Sequence, residues 1–195
     1  MQTKQQAKKT AIMGLFLGVI IVLQLLSYFI KIGTFNLSLV LIPIILSACL
    51  YGYKVGAFMG FIFGVVVYIC CIFGLDGGGF ILFSANPLLC GIICIVKGTA
   101  AGLLAGLINK PLAKKDKGYL GVLLASITAP VVNTGLFLLG LVFFFKETLY
   151  IWAAGTDIVY YMIFGLTGIN FIIELLVNIV LSSAVYRVIK AVSKI

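Results

Sequence analysis

The chain has 195 residues, of which 63% are hydrophobic and 10% charged, and its formal net charge is +9. So few polar residues cannot coat a soluble globular domain, and the composition is that of an integral membrane protein. At about 20 residues per crossing, the length accommodates six closely connected helices and no separate ATP-hydrolysing domain; no G-x-x-x-x-G-K-[ST] run occurs.

Apolar segments run over roughly 11–30, 37–53, 55–73, 88–109, 119–145 and 158–188. They predict an all-α membrane protein, a single domain over 1–195 with six transmembrane helices. The first segment follows "MQTKQQAKKT", is long enough to span, and meets no A-x-A-like cleavage site, so it is expected to persist as a helix. Along this helix and its basic N-terminal edge, Ala7, Ala11, Gly14 and Gly18 step by 4, 3 and 4 residues and form one smooth stripe. Such a stripe serves either packing inside the protein or docking of another membrane subunit. The second segment is the shortest and carries Pro43. In the third, Gly56, Gly60 and Gly64 recur every fourth residue; in the fourth, Gly98, Gly102 and Gly106 do the same. Those faces let helix backbones approach closely within the bundle. The connection between them, "GLDGGGFILFSANP" (74–87), is rich in turn formers and reads as a loop. The fifth and sixth segments are long enough to tilt.

An even number of crossings puts both termini on one side. Lys4, Lys8, Lys9, Lys54, Lys110, Lys114, Lys115, Lys117, Arg187, Lys190 and Lys194 then share that side, eleven of the fourteen basic residues. Lys31 and Lys146 lie opposite, with the acids Asp76, Glu147 and Asp157; Asp116 is in the inner basic loop. The asymmetry makes the termini cytoplasmic and accounts for the net charge by topology, without a nucleic-acid partner.

Cys49, Cys70, Cys71, Cys90 and Cys94 all fall in apolar segments, and the chain has no His. Metal-ligand spacing is absent, so all five read as buried small hydrophobes, with no metal or cofactor expected. Enzyme chemistry has little to stand on: one buried acid makes no metal cluster, and there is neither a His base nor a G-x-S-x-G turn.

Two ionisable residues lie inside the membrane. Lys97 falls about 15 Å below the outer end of its helix, near the midplane, where snorkelling is difficult and a partner is needed. On the sixth segment Asn170, Glu174 and Asn178 are spaced by four and share a face. Asn133 falls in the outer half of the fifth segment and Asn86 at the outer mouth of the fourth. Either Lys97 and Glu174 form a structural ion pair with the Asn residues as interhelical glue, or Lys97 attracts an anionic group of a small solute while Asn86, Asn133 and Asn170 hydrogen-bond it. Glu174 then holds Lys97 until the solute arrives.

The run "FNLSLVLIPIILSACLYGYKVGAFMGFIFGVV", with a short loop, a proline-bearing helix, "YG" and a Gly-stepped helix, resembles the substrate-binding S components of energy-coupling factor (ECF) vitamin transporters. "KGTAAGLLAGL" and "APVVNTG" are similar to segments of the same family, and the likeness covers nearly the whole chain. The resemblance implies an S-component bundle in a prokaryotic plasma membrane. It binds a vitamin or precursor in an outward-facing cavity, made by the fourth to sixth helices and capped by the loops 31–36 and 74–87. It also implies docking, through the small-residue face of the first helix, onto a transmembrane coupling subunit tied to two ATPase subunits. Ala7, Ala11, Gly14 and Gly18 match the docking stripe, where glycines continue the family's Ala-x-x-x-Ala. Lys97, Asn133 and Asn170 match cavity positions, and Asn36 and Asn86 the lids, with Gly77-Gly78-Gly79 suited to mobility. A desolvated cation reached from outside suits a carboxylate, which makes pantothenate the first choice; riboflavin, folate and cobalamin are also compatible. Trp152, in the outer loop 146–157, is a cavity cover or an interfacial anchor. The alternatives are a scaffold subunit with a purely structural polar core and a solitary small-solute facilitator.

Overall fold

A computed structural model describes residues 2–28, 31–32, 35–36, 39–114 and 117–193. Lys115, Asp116 and Lys194 lie outside the described residues, as does the Asn36 side chain. Helix α1 (Gln2–Ser27) leads to a two-residue antiparallel ladder, β1 (Lys31–Ile32) and β2 (Phe35–Asn36), in which Lys31 faces Asn36. Helices α2 (Leu41–Tyr51), α3 (Tyr53–Ile72), α4 (Gly77–Ala85), α5 (Pro87–Ala113), α6 (Gly118–Phe144), α7 (Lys146–Ala153) and α8 (Ile158–Tyr160) follow. A π-helical turn, Tyr161–Thr167, then joins α8 to α9 (Gly168–Ser193).

Among the described residues five helices are long and apolar enough to cross a membrane, Thr10–Ser27, Tyr53–Ile72, Pro87–Ala113, Gly118–Phe144 and Asn170–Val192, and a sixth span results if the bent pair Lys146–Ala153 and Ile158–Thr167 is counted as one. The chain is a multi-pass, all-α membrane bundle. The second apolar segment makes a shorter helix than the sequence suggests, because α2 has 11 residues. At about 1.5 Å per residue that is roughly half of a 30 Å hydrocarbon core. Pro43 sits in the first turn of α2, where its missing N–H leaves no bond unmade. At the other end Gly52, with φ of +92°, turns α2 directly into α3. Leu41, Ile44, Ile45 and Ala48 are almost completely buried, since α2 packs against α3, α5, α6 and α9 at once.

The bundle is centred on the antiparallel pair α3 and α5. Gly56 faces Gly102, Gly60 faces Gly98, and Gly64 faces Cys94. A Cβ on Gly60 would collide with the Gly98 carbonyl, and one on Gly102 with the Gly56 carbonyl. Both glycine stripes are therefore spent on intramolecular packing, where close backbone approach replaces the missing hydrophobic drive. α6 packs on α5, α9 on α6, and α1 on α2 and α3.

The segment 74–87 is a correction to the loop reading. Asp76 accepts a hydrogen bond from the Gly79 amide at 3.1 Å and caps α4, so the three glycines form its first turn. Leu82 then buries, and Gly79 lies so close to Cys71 that a Cβ there would strike the sulfur. At the same end α7 bends by 89° into 158–167 through Ala154 (φ 47°) and Gly155 (φ 85°). Trp152, on α7, packs against the core and lies outside the cavity lining.

Candidate solute-binding site

One cavity occupies the end of the bundle away from both chain termini, with an empty volume of about 980 Å³ including its mouth. Its walls come from the last turn of α1, the C-terminal part of α3, α4, the N-terminal half of α5, the C-terminal half of α6, and the start of α9. It therefore draws on α1, α3 and α4 as well as on the three helices that the resemblance implies.

Lys97, Asn133, Asn170 and Glu174 all line it. Lys97 is the eleventh residue of α5, about 15 Å along the helix from its mouth end. Its ammonium sits 5.0 Å from the centre of the Phe137 ring, a cation–π contact across to α6. Among the described residues Lys97 forms no ion pair, and the Glu174 Oε1 has no hydrogen-bond partner although Glu174 is only 8% exposed. The structural ion pair is thus not formed in this conformation. Asn133, equally buried, presents an Oδ1 without a partner. A buried acceptor left unmade costs about 1–3 kcal/mol, and both of these atoms belong to residues that line the cavity.

The other sequence candidates have separate places. Asn86 caps α5: its Oδ1 accepts from the Leu89 amide at 3.1 Å, ahead of Pro87 at the first helical position, and it is not in the lining. Asn178 is buried one turn below the cavity, its Nδ2 donating to the Glu174 carbonyl at 2.8 Å. Ala7, Ala11, Gly14 and Gly18 are all exposed on α1, and a Cβ at Gly14 or Gly18 would meet nothing within 4 Å. At Gly14 and Gly18 the stripe therefore faces open space.

The sequence reading misses Gln24, Ser27 and Tyr28. They stand at i, i+3 and i+4, the signature of one helix face, and they wall the cavity from α1. Gln24 Nε2 donates to the Tyr28 hydroxyl at 2.7 Å, which leaves Gln24 Oε1 without a partner. Also missed is the π-helical turn. Thr167 Oγ1 donates to the Met162 carbonyl at 2.9 Å, and Leu166 and Thr167 join Asn170 in the wall. Cys70, Cys71, Cys90 and Cys94 are buried as expected and Cys49 partly so, and α3 and α5 bring Cys71, Cys90 and Cys94, which sequence spacing separates, together in that wall.

A cavity lined by one cation and several polar side chains among its apolar walls, inside a multi-pass bundle, has the chemistry of a small-solute site in a membrane protein. A family model for the ECF transporter substrate-specific component matches residues 8–189. The chain belongs to that family, and so is a transporter component and not an enzyme. It is similar to the pantothenic acid transporter PanT of Lactococcus lactis subsp. cremoris (strain MG1363), 24% identical over 193 residues that cover 93% of each chain. No solved structure matches the chain significantly.

Proposed function

We propose that this chain binds pantothenate, or a vitamin of the same kind, from outside a prokaryotic cell and passes it inward when docked on an ATP-driven coupling module. The observation that carries the reading is Lys97, a half-buried cation lining the cavity with no ion pair among the described residues, beside the orphan acceptors of Asn133 and Gln24. Pantothenate offers the complement: one carboxylate for the ammonium, and an amide N–H and two hydroxyls for the acceptors. Similarity to the pantothenic acid transporter of Lactococcus lactis supports the same solute.

Eleven basic residues on the terminal side support cytoplasmic termini and an outward cavity. The exposed stripe Ala7, Ala11, Gly14 and Gly18 fits a partner helix, here a transmembrane coupling subunit joined to two ATPase subunits. In this reading Lys97 anchors the solute carboxylate, Asn133 and Asn170 orient its polar chain, and Glu174 lies behind Lys97. Thermal denaturation of the purified chain in detergent, against a panel of vitamins and precursors, tests the reading. A rise in melting temperature with pantothenate at micromolar concentration is the expected result. No rise with any member of the panel would favour a scaffold whose polar centre is structural.

A further inference from the structure

Cys71, near the C-terminal end of α3, and Cys90 and Cys94, one turn apart on α5, have Sγ atoms all within 4.8 Å of one another. The three are 2%, 2% and 6% exposed. Their approach is imposed by the backbone: Gly64 lets α3 touch α5 at Cys94, and Gly79 of α4 closes over the Cys71 sulfur.

A metal–sulfur bond of about 2.3 Å places the sulfurs of a trigonal or tetrahedral thiolate centre roughly 4 Å apart, so small rotamer adjustments complete the geometry. Thiolate is a soft ligand and takes d¹⁰ ions of the zinc group in preference to magnesium or calcium. Charge chooses between monovalent and divalent ions. Three thiolates around a divalent ion carry a net −1, against −2 around a monovalent one, and the smaller charge is the less costly in a medium of low dielectric.

We propose that Cys71, Cys90 and Cys94 form a three-thiolate site for a soft divalent d¹⁰ cation, of the zinc and cadmium kind, in the wall of the solute cavity. Three metal–sulfur bonds form, three thiol protons leave to solvent, and no electron is transferred. The fourth coordination position opens on the cavity and takes water. The site does not depend on which solute the cavity binds.

The test is titration of the full-length chain, purified in detergent under a non-thiol reductant, with Cd²⁺ alone. A sulfur-to-cadmium charge-transfer band saturating at one equivalent is expected. Cys71→Ser, Cys90→Ser and Cys94→Ser should each weaken binding by about tenfold or more, while Cys49→Ser and Cys70→Ser leave it unchanged. Alkylation footprinting of the wild-type protein reads the same site without a variant: Cd²⁺ should shield Cys71, Cys90 and Cys94 together. Absence of the band, a band indifferent to the three serine variants, or shielding that omits these cysteines would overturn the proposal.

Discussion

A lysine ammonium midway down a membrane helix is tolerated if a carboxylate neutralises it or if it is held ready for an anion that arrives later, and the two arrangements respond oppositely to mutation. In an ion pair, removing the lysine strands a buried carboxylate and destabilises the protein by about 3–5 kcal/mol. Here Lys97 has the Phe137 ring against it and no ion pair among the described residues. Lys97→Gln is therefore expected to leave the melting temperature of the solute-free protein unchanged or raised. The same change should weaken solute affinity by about tenfold to a hundredfold, the worth of a charged hydrogen bond. Calorimetry and solute titration on one preparation check both halves. Asn133→Ala should cost affinity by about tenfold, since the Asn133 Oδ1 has no internal partner to lose. Asn178→Ala should leave affinity unchanged, because Asn178 is bonded within its own helix, outside the cavity.

Glycines on different helices do different work, although they look alike in the sequence. Gly60 touches the Gly98 backbone, which cannot rotate away; Gly60→Ala is expected to destabilise the bundle by about 1–3 kcal/mol through overpacking. Gly14→Ala adds a methyl group to open space on α1 and should change the melting temperature little. Paired denaturation curves in detergent distinguish them, and equal losses would contradict the packing described here. The stripes themselves were legible because a fixed step of four needs no knowledge of the partner helix, and Lys97 and Glu174 were legible because charge in a membrane segment stands out. α4 was not: "GGG" reads as a turn, yet Asp76 caps it and Leu82 buries, so tertiary contacts override propensity. The π-helical turn leaves no periodicity to read. Gln24, Ser27 and Tyr28 carried the right spacing, but uncharged residues at a helix end attract less notice than a lysine. The cysteine group depends on contact between two helices, which spacing along one chain cannot report.

Under the proposed function, two tasks are separated by position. Lys97, Asn133 and Asn170 lie in the cavity end of the bundle, whereas the exposed stripe of α1 runs along the outer face of a helix. Ala11→Leu combined with Gly14→Leu should spare solute binding and abolish co-purification with the transmembrane coupling subunit. Loss of both together would show that the stripe supports the cavity instead of a partner. The central claim, that Lys97 is the anchor for a solute carboxylate, is most directly tested by calorimetric titration of wild-type and Lys97→Gln protein with two compounds: pantothenate and its alcohol analogue, in which the carboxylate is replaced by CH₂OH. The account predicts that the wild type prefers pantothenate and that the variant binds the two compounds alike. An undiminished preference for pantothenate in the variant would contradict it.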